Sequence, residues 1–246
     1  MKKSFIHIKA DARESLLGNY SPIISATLFL AIVTALVSVP FTRMFYANPG
    51  ILQYIIYYAA QLLIFALAAL FRSGIWRMHL KAARQQPFEF REFAFAVKSR
   101  PNRFLNAGLI LAVLSLVFQL PTEILASINL AFYQKNHSLN LTFLVALAAV
   151  AALSLILGIY VYLRCCLVLL FLADHEQMEC REAFGQSSRA MKGKKAKMFL
   201  MLFSFIGLIL LGILTLFIGY LWIIPYMRQS ITCFYTSLND KEASQA

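Results

Sequence analysis

The sequence predicts an all-α fold, a polytopic transmembrane helical bundle of six spans arranged as three hairpins. The chain of 246 residues is 60% hydrophobic and only 14% charged, and its mean hydropathy is +0.69. Its apolar residues form runs long enough to cross about 30 Å of hydrocarbon. Of its 23 Lys and Arg residues, all except Arg43 and Lys135 fall on one side of a membrane drawn through these runs.

The apolar runs place the six spans within a single membrane domain that covers residues 1–246. The predicted spans are residues 21–40, 51–71, 104–120, 141–165, 198–214 and 218–237. Asn48-Pro49-Gly50 is a strong turn signal after the first span, and the second outer connection covers residues 121–140. Short connections after the odd-numbered spans pair the spans into hairpins. Because most basic residues lie on the other side, we expect both termini in the cytoplasm.

A basic, amphipathic segment precedes each hairpin. The three segments cover residues 5–20, 72–103 and 174–197. In the first of them, Ile8 and Leu16 can line one face of a helix while Lys9 and Arg13 occupy the other. We therefore expect each hairpin to begin with a cytoplasmic amphipathic elbow helix at the membrane surface.

Catalytic and metal-binding motifs are absent from the sequence. It has no metalloprotease, nucleophile-elbow, P-loop or dinucleotide-binding pattern, and its four Cys residues lack metal-ligand spacing. We therefore expect no enzymatic activity, no cofactor and no metal. The nearest catalytic cluster is Asp174-His175-Glu176, for which a solvated acidic helix start is the favoured explanation. The basic flanks explain the net charge of +12, so we expect no nucleic-acid partner.

Two sets of basic residues suggest anion binding. The first set follows an aromatic residue at the inner end of each even-numbered span and consists of Arg72, Arg164 and Arg228. Such guanidinium groups can bind a lipid headgroup or a phosphate, although snorkelling to the interface explains the same pattern. The second set consists of Lys192, Lys194, Lys195 and Lys197. It indicates contact with anionic lipid, or it serves only as a topology signal.

Polar side chains form a stripe on the second predicted span. Its members, at helical spacing, are Tyr54, Tyr57, Tyr58 and Gln61. This stripe can line a cavity, or it can be an aromatic belt at the outer interface with Gln61 bonded to a neighbouring helix. No Asp or Glu falls within the predicted spans, which disfavours a proton- or sodium-coupled carrier.

Several motifs resemble those of a known family. They are Leu17-Gly18-Asn19-Tyr20, Ser188-Arg189-Ala190-Met191-Lys192-Gly193-Lys194-Lys195 and Leu221-Trp222-Ile223-Ile224-Pro225-Tyr226. With these motifs the chain resembles, over nearly its whole length, the bacterial (Firmicutes-type) integral membrane proteins grouped as domain of unknown function 975. The resemblance implies a multi-span plasma-membrane protein. It supplies neither catalytic residues nor a substrate.

The sequence favours a non-enzymatic protein of the bacterial plasma membrane. We expect it to bind anionic lipid, or a partner protein in the membrane, in envelope function or transport. One alternative is a transporter or channel for an anionic or amphiphilic cargo, with the tyrosine stripe outside and the arginines inside. Another is a membrane-embedded enzyme acting on lipid. A cavity joining Gln61 to one of the three arginines would favour transport.

Overall fold

The computed structural model describes residues 5–47, 50–138 and 140–243, and in these ranges it contains helices and turns but no strand. The all-α prediction is confirmed. The elements are α1 Phe5–Leu16, α2 Tyr20–Ala47, α3 Ile51–Ala83, a 3₁₀ helix Phe90–Ala94, α4 Phe95–Lys98, α5 Pro101–Asn136, α6 Leu141–Cys165, α7 Val168–Asp174, α8 Cys180–Ala190, α9 Lys195–Phe203, α10 Ile206–Leu214 and α11 Tyr220–Ala243.

Five stretches of helix in the described ranges are long and apolar enough to cross a membrane. They are Tyr20–Met44, Ile51–Ala83, Pro101–Asn136, Leu141–Asp174 and Lys195–Leu214. Helix α11, at the position of the predicted sixth span, is not one of them, and its sequence includes Arg228, Gln229 and Ser230. A multi-pass membrane protein is thus supported, whereas six crossings stay a prediction.

The third membrane helix is longer than the sequence predicted. An outer connection was expected at residues 121–140, but α5 continues through Pro121 to Asn136. Helix α6 returns beside this outer part, where the Asn129 amide donates to the Phe143 carbonyl at 3.1 Å. The Phe132 and Phe143 rings also meet edge to face, with centroids 5.5 Å apart. A neighbouring helix of this kind lets a membrane helix tolerate proline.

The segment predicted at residues 72–103 is also divided differently. Its first part extends α3 to Ala83, and a 3₁₀ helix followed by the four-residue α4 replaces a single amphipathic helix. The backbone of Phe93 lies where a Cβ on Gly74 would be. This approach is open only to glycine, and it seats the Phe93 ring against Phe71 with centroids 5.0 Å apart.

The other two predicted segments, residues 5–20 and 174–197, also contain helices, but these helices are shorter than the segments. Helix α1 ends at Leu16 and α2 begins at Tyr20. In the third segment α8 covers Cys180–Ala190, and α9 already begins at Lys195. That α1 and α8 lie at the membrane surface stays a prediction.

The buried core lies at one end of the bundle, which we call the inner half: α1, α4, α7, α8 and α9, with the parts of α2, α3, α5, α6 and α11 packed against them. The outer half contains the C-terminal ends of α2 and α5 and the N-terminal ends of α3 and α6. Asn48 and Pro49 of the predicted first turn lie outside the described residues. The main cluster of buried side chains joins α1, α3, α5, α7, α8, α9 and α11. Its largest fully buried members are Tyr235, Phe104 and Phe234.

Ion pairs connect the segments of the inner half. Glu92, beside α4, accepts from Lys81 at 2.6 Å and lies 3.2 Å from Arg77, both on α3. Asp174, at the end of α7, accepts both terminal nitrogens of Arg84 at 2.6 and 2.8 Å. Tyr235 of α11 donates to the same carboxylate at 2.9 Å. The connections between the membrane helices are therefore fixed to one another.

Candidate functional site

A cavity of about 790 Å³ separates α3, α5 and α6. Small residues of α6 line one wall and leave the space open: Ala151, Ser154 and Gly158. A Cβ on Gly158 would find its nearest neighbour, the Phe118 ring, only at 4.0 Å. Most of the remaining wall is aliphatic and aromatic. The volume and the apolar lining are those of a site for a small amphiphilic molecule.

Arg72 lies at the inner end of this cavity. Its guanidinium group is 4.2 Å from the centroid of the Phe65 ring, which precedes it by about two turns on α3. Side chains on a helix lean toward its N-terminus, and the N-terminus of α3 is its outer end. Arg72 therefore extends into the membrane part of the bundle. This direction is opposite to the snorkelling that the sequence also allowed.

No described carboxylate forms an ion pair with Arg72 in the structure. Two carboxylates of the inner half are engaged by other cations: Glu92 by Arg77 and Lys81, and Asp174 by Arg84. A cation in an apolar membrane cavity is costly unless an anion or a dipole compensates it. The stacking on Phe65 supplies part of this compensation. An anion at the inner end of the cavity would supply the rest.

The opposite, outer end of the cavity is polar. Ser115, Gln119 and Glu123 of α5 line it, and the Tyr58 hydroxyl of α3 donates to the Glu123 carboxylate. The sequence placed no carboxylate in a predicted span, but Glu123 belongs to a part of α5 that was assigned to a loop and that falls in the candidate span Pro101–Asn136. The cavity thus has a cation at one end and a carboxylate at the other.

The tyrosine stripe borders a second, smaller cavity of about 200 Å³, lined by Tyr57, Tyr58 and Gln61. Tyr54 does not line it but stacks on Tyr58 with ring centroids 6.5 Å apart. The two cavities share four lining residues: Phe65, Ser115, Gln119 and Glu123. Through these shared residues the space beside Gln61 adjoins the space beside Arg72.

The structure brings together two of the three predicted arginines. Arg228 lies within electrostatic range of Arg72 and of Tyr162, which also lines the large cavity. One terminal nitrogen of Arg228 is 3.4 Å from the Thr27 hydroxyl. Arg164 lies elsewhere: it is exposed, and its Nε donates to Ser188 of α8 at 2.8 Å. A common three-arginine site is therefore absent, and anion binding by Arg72 and Arg228 stays a prediction.

The lysine cluster surrounds the turn between α8 and α9. Lys192 is exposed, and Lys194 is half-buried. Lys195 places its ammonium 3.8 Å from the centroid of the Tyr160 ring on α6, and Lys197 lies 5.9 Å from the Phe234 ring. Two of the four lysines thus also contact aromatic rings of the protein. Binding of anionic lipid by the cluster stays a prediction.

The acidic cluster takes part in structural contacts. Asp174 is held by Arg84 and Tyr235, and Glu176 accepts from Arg77 at 3.0 Å. No group of three metal-binding side chains occurs in the part of the chain that the structure describes. These contacts favour a structural role for the cluster. The sequence favoured a solvated helix start, whereas Asp174 ends α7 and its side chain is only 7% exposed.

Sequence reasoning missed a buried polar network between α1, α3 and α11. His79 is fully buried, and its Nδ1 is 2.6 Å from Oε1 of Gln229. The Gln229 amide donates to the Ser15 hydroxyl at 2.9 Å and to the His79 carbonyl at 3.2 Å. His79 and Gln229 are 150 residues apart, so no local pattern could have indicated the pairing.

Comparison with known proteins identifies one relationship. The model of a family described as "Protein of unknown function (DUF975)" matches residues 1–242, which include the whole cavity. No curated protein and no solved structure matches the chain. A ligand for the cavity must therefore be inferred from its own residues.

Proposed function

This chain belongs to the DUF975 family, and from the geometry of its cavity we propose that it is a non-enzymatic integral membrane protein that binds an anionic lipid. In this proposal the lipid headgroup lies against Arg72 and an acyl chain occupies the apolar space between α5 and α6. The direction of the Arg72 side chain, into the cavity and toward Phe65, is the observation that carries the proposal.

The charges at the two ends of the cavity favour one orientation of the lipid. An anionic headgroup is attracted by Arg72 and, at long range, by Arg228, whereas Glu123 repels it from the outer end. Arg offers paired donors that fit phosphate oxygens. The headgroup therefore belongs at the inner end and the chain terminus near Gln119. The basic residues on the same side support the further proposal that this end faces the cytoplasmic leaflet of a bacterial plasma membrane, with both termini in the cytoplasm.

Lipid titrations with charge variants test this proposal. Phosphatidylglycerol and phosphatidylcholine are titrated into the purified protein, and bound lipid is counted by native mass spectrometry. Arg72→Gln should lower the affinity for phosphatidylglycerol about tenfold, because a charged hydrogen bond contributes at least about 1.5 kcal/mol. Arg72→Lys should retain part of the affinity. The matched control is Arg164→Gln, an exposed arginine outside the cavity. Equal affinity of the parent and Arg72→Gln would refute the proposal.

A second variant tests the place of the acyl chain. Gly158→Leu places a side chain in the cavity at a position where only the Phe118 ring lies within 4.0 Å of the added Cβ. It should weaken the binding of both lipids. Gly207→Leu is the control, because nothing lies within 4 Å of a Cβ at that position. Unchanged binding to Gly158→Leu would place the lipid elsewhere.

Passage of an amphiphile along the cavity is the second candidate function, favoured by the lining residues that the two cavities share. It predicts that vesicles containing the protein exchange fluorescent phosphatidylglycerol between leaflets faster than protein-free vesicles. Gly158→Leu should abolish the increase. If the protein causes no increase but binds phosphatidylglycerol, lipid binding is the function and passage is excluded.

A further inference from the structure

The turn between α10 and α11 is unusually apolar for the tip of a hairpin. It has the sequence Thr215-Leu216-Phe217-Ile218-Gly219, and the side chains of Leu216 and Phe217 are 81% and 64% exposed. The tip of the α5–α6 hairpin instead has Asn136, His137 and Asn140. A turn in water would expose such polar groups, whereas the α10–α11 turn exposes hydrocarbon.

The backbone N–H groups of this turn need no water. From Thr215 to Ile223 every N–H donates to an acceptor within the hairpin. The Thr215 hydroxyl accepts from the Gly219 N–H at 3.1 Å and donates to the Gly212 carbonyl at 3.0 Å. Leu216 and Phe217 adopt φ of 50° and 67°, a left-handed conformation that L residues seldom take. Internal pairing of this kind is required of a backbone in hydrocarbon.

The inner end of the hairpin lies beside α1. The Lys9 ammonium donates to the Ser204 hydroxyl at 3.1 Å and lies 4.3 Å from the centroid of the Phe205 ring. Ser204 and Phe205 thus lie at about the same membrane depth as Lys9, a basic residue of the predicted elbow helix. Only α10, the nine residues Ile206–Leu214, extends deeper before the turn. Nine residues of helix span about 14 Å, and the hydrocarbon is about 30 Å thick.

Contacts of α11 with α2 also place the turn short of the outer end of α2. Arg228 reaches Thr27, and from Thr27 to the end of α2 at Ala47 the helix rises about 30 Å. From Arg228 back to Gly219 the chain rises only about 14 Å. If α2 and α11 run side by side, the difference between these two rises puts the α10–α11 turn about 15 Å short of the outer end of α2.

From these observations we infer that the α10–α11 hairpin is re-entrant: it enters from the inner side, turns near the middle of the bilayer and returns on the same side. Its tip contacts the acyl chains of the inner leaflet. Within the described residues the chain then crosses the membrane four times, by α2, α3, α5 and α6, and the apolar stretch Lys195–Leu214 enters without crossing. We expect lipid to cover the tip, because the exposed side chains of the tip are apolar. A second copy of the chain is the competing occupant.

Cysteine labelling tests the depth of the tip. Leu216→Cys is placed in a protein whose four native cysteines are replaced by Ala and is treated with a membrane-impermeant maleimide in intact and inverted vesicles. Reaction from neither side is expected, with labelling only after detergent is added. His137→Cys at the α5–α6 tip is the outer control, and Lys192→Cys is the inner one. Labelling of Leu216→Cys from the same side as His137→Cys would overturn the inference.

Fluorescence quenching identifies what covers the tip. The chain has two tryptophans, and Trp222 is half exposed beside the tip. In Trp76→Phe, lipids brominated near the chain end should quench Trp222 more than lipids brominated near the headgroup. Stronger quenching by the shallow bromines would show a crossing hairpin. No quenching by either lipid would show that another protein copy covers the tip, which also contradicts the inference.

Discussion

Helix α6 and its continuation α7 form one apolar stretch, yet they are packed in opposite ways. Among the 25 residues of α6 only Leu163 is buried, whereas in α7 every residue from Val168 to Ala173 is buried. Apolar composition therefore does not determine burial in this chain. Water drives apolar groups together at the inner end, but lipid gives no such drive in the outer half, where close packing and hydrogen bonds must hold helices together.

This difference explains where a ligand site can form. The inner half is filled by large side chains and tied by ion pairs, so it keeps the ends of α3, α5 and α6 in place. Beyond this packed region the same helices are free to diverge around small residues such as Gly158. The tightly packed inner half and the loosely packed helices beyond it together leave the cavity that Arg72 enters.

Truncation of a buried leucine should give the largest effect. Leu170→Ala in α7 removes a fully buried side chain and should lower the free energy of unfolding by about 2–5 kcal/mol. Leu153→Ala in α6, at 58% exposure, should cost less than about 1 kcal/mol, because lipid already contacts that side chain. Unfolding in mixed micelles with increasing SDS measures both variants. Equal losses would remove the distinction between the halves.

A glycine-to-alanine pair distinguishes close packing from open space among the membrane helices. Gly108→Ala places a Cβ 2.5 Å from the Ala69 Cβ, and should destabilise the protein by about 1–3 kcal/mol. Gly207→Ala meets nothing within 4 Å, and should stabilise its helix by about 0.5–1 kcal/mol. The same SDS titration measures the change in stability of both variants and its sign. A stabilising Gly108→Ala would show that α3 and α5 do not pack closely.

Loss of a buried carboxylate tests the ion pairs of the inner half. Asp174→Asn weakens the contacts with Arg84 and Tyr235 and should destabilise the protein by about 1–2 kcal/mol, a value reduced because Arg84 is 42% exposed. Glu89→Gln removes the Glu89–Arg91 pair, in which both side chains are exposed, and should change nothing measurable. An Asp174→Asn variant as stable as the parent would exclude this ion pair as a fixed contact.

The smallest effect is expected at the lysine cluster. Replacement of Lys192 and Lys194 by Gln removes at most about 2 kcal/mol of attraction to an anionic surface, and salt reduces it further. Proteolysis between α7 and α9 should accelerate slightly in anionic vesicles and remain unchanged in neutral ones. The same acceleration in neutral vesicles would point to a loss of local structure. Equal rates of parent and variant in anionic vesicles would leave the lysines as a topology signal.

The outer end of α5 shows why some features escaped prediction. Pro121 reads as a helix breaker and Glu123 as a loop residue, so the sequence placed both outside the membrane helix. Helix α6 packs beside this stretch, where the Asn129 amide donates to the Phe143 carbonyl. This contact with another helix lets α5 continue past Pro121, and the residues around Pro121 do not indicate it. The Tyr58–Glu123 bond and the outer end of the cavity were missed for the same reason.

The sequence by itself determined the membrane environment and the helical class, because the length of an apolar run is a local property. Tertiary structure decided the rest. It decided that Arg72 extends into a cavity while Arg164 bonds to α8, and that His79 pairs with Gln229. The direction of a side chain and the level of a hairpin depend on which helices pack together, and residues far apart in the chain control that packing.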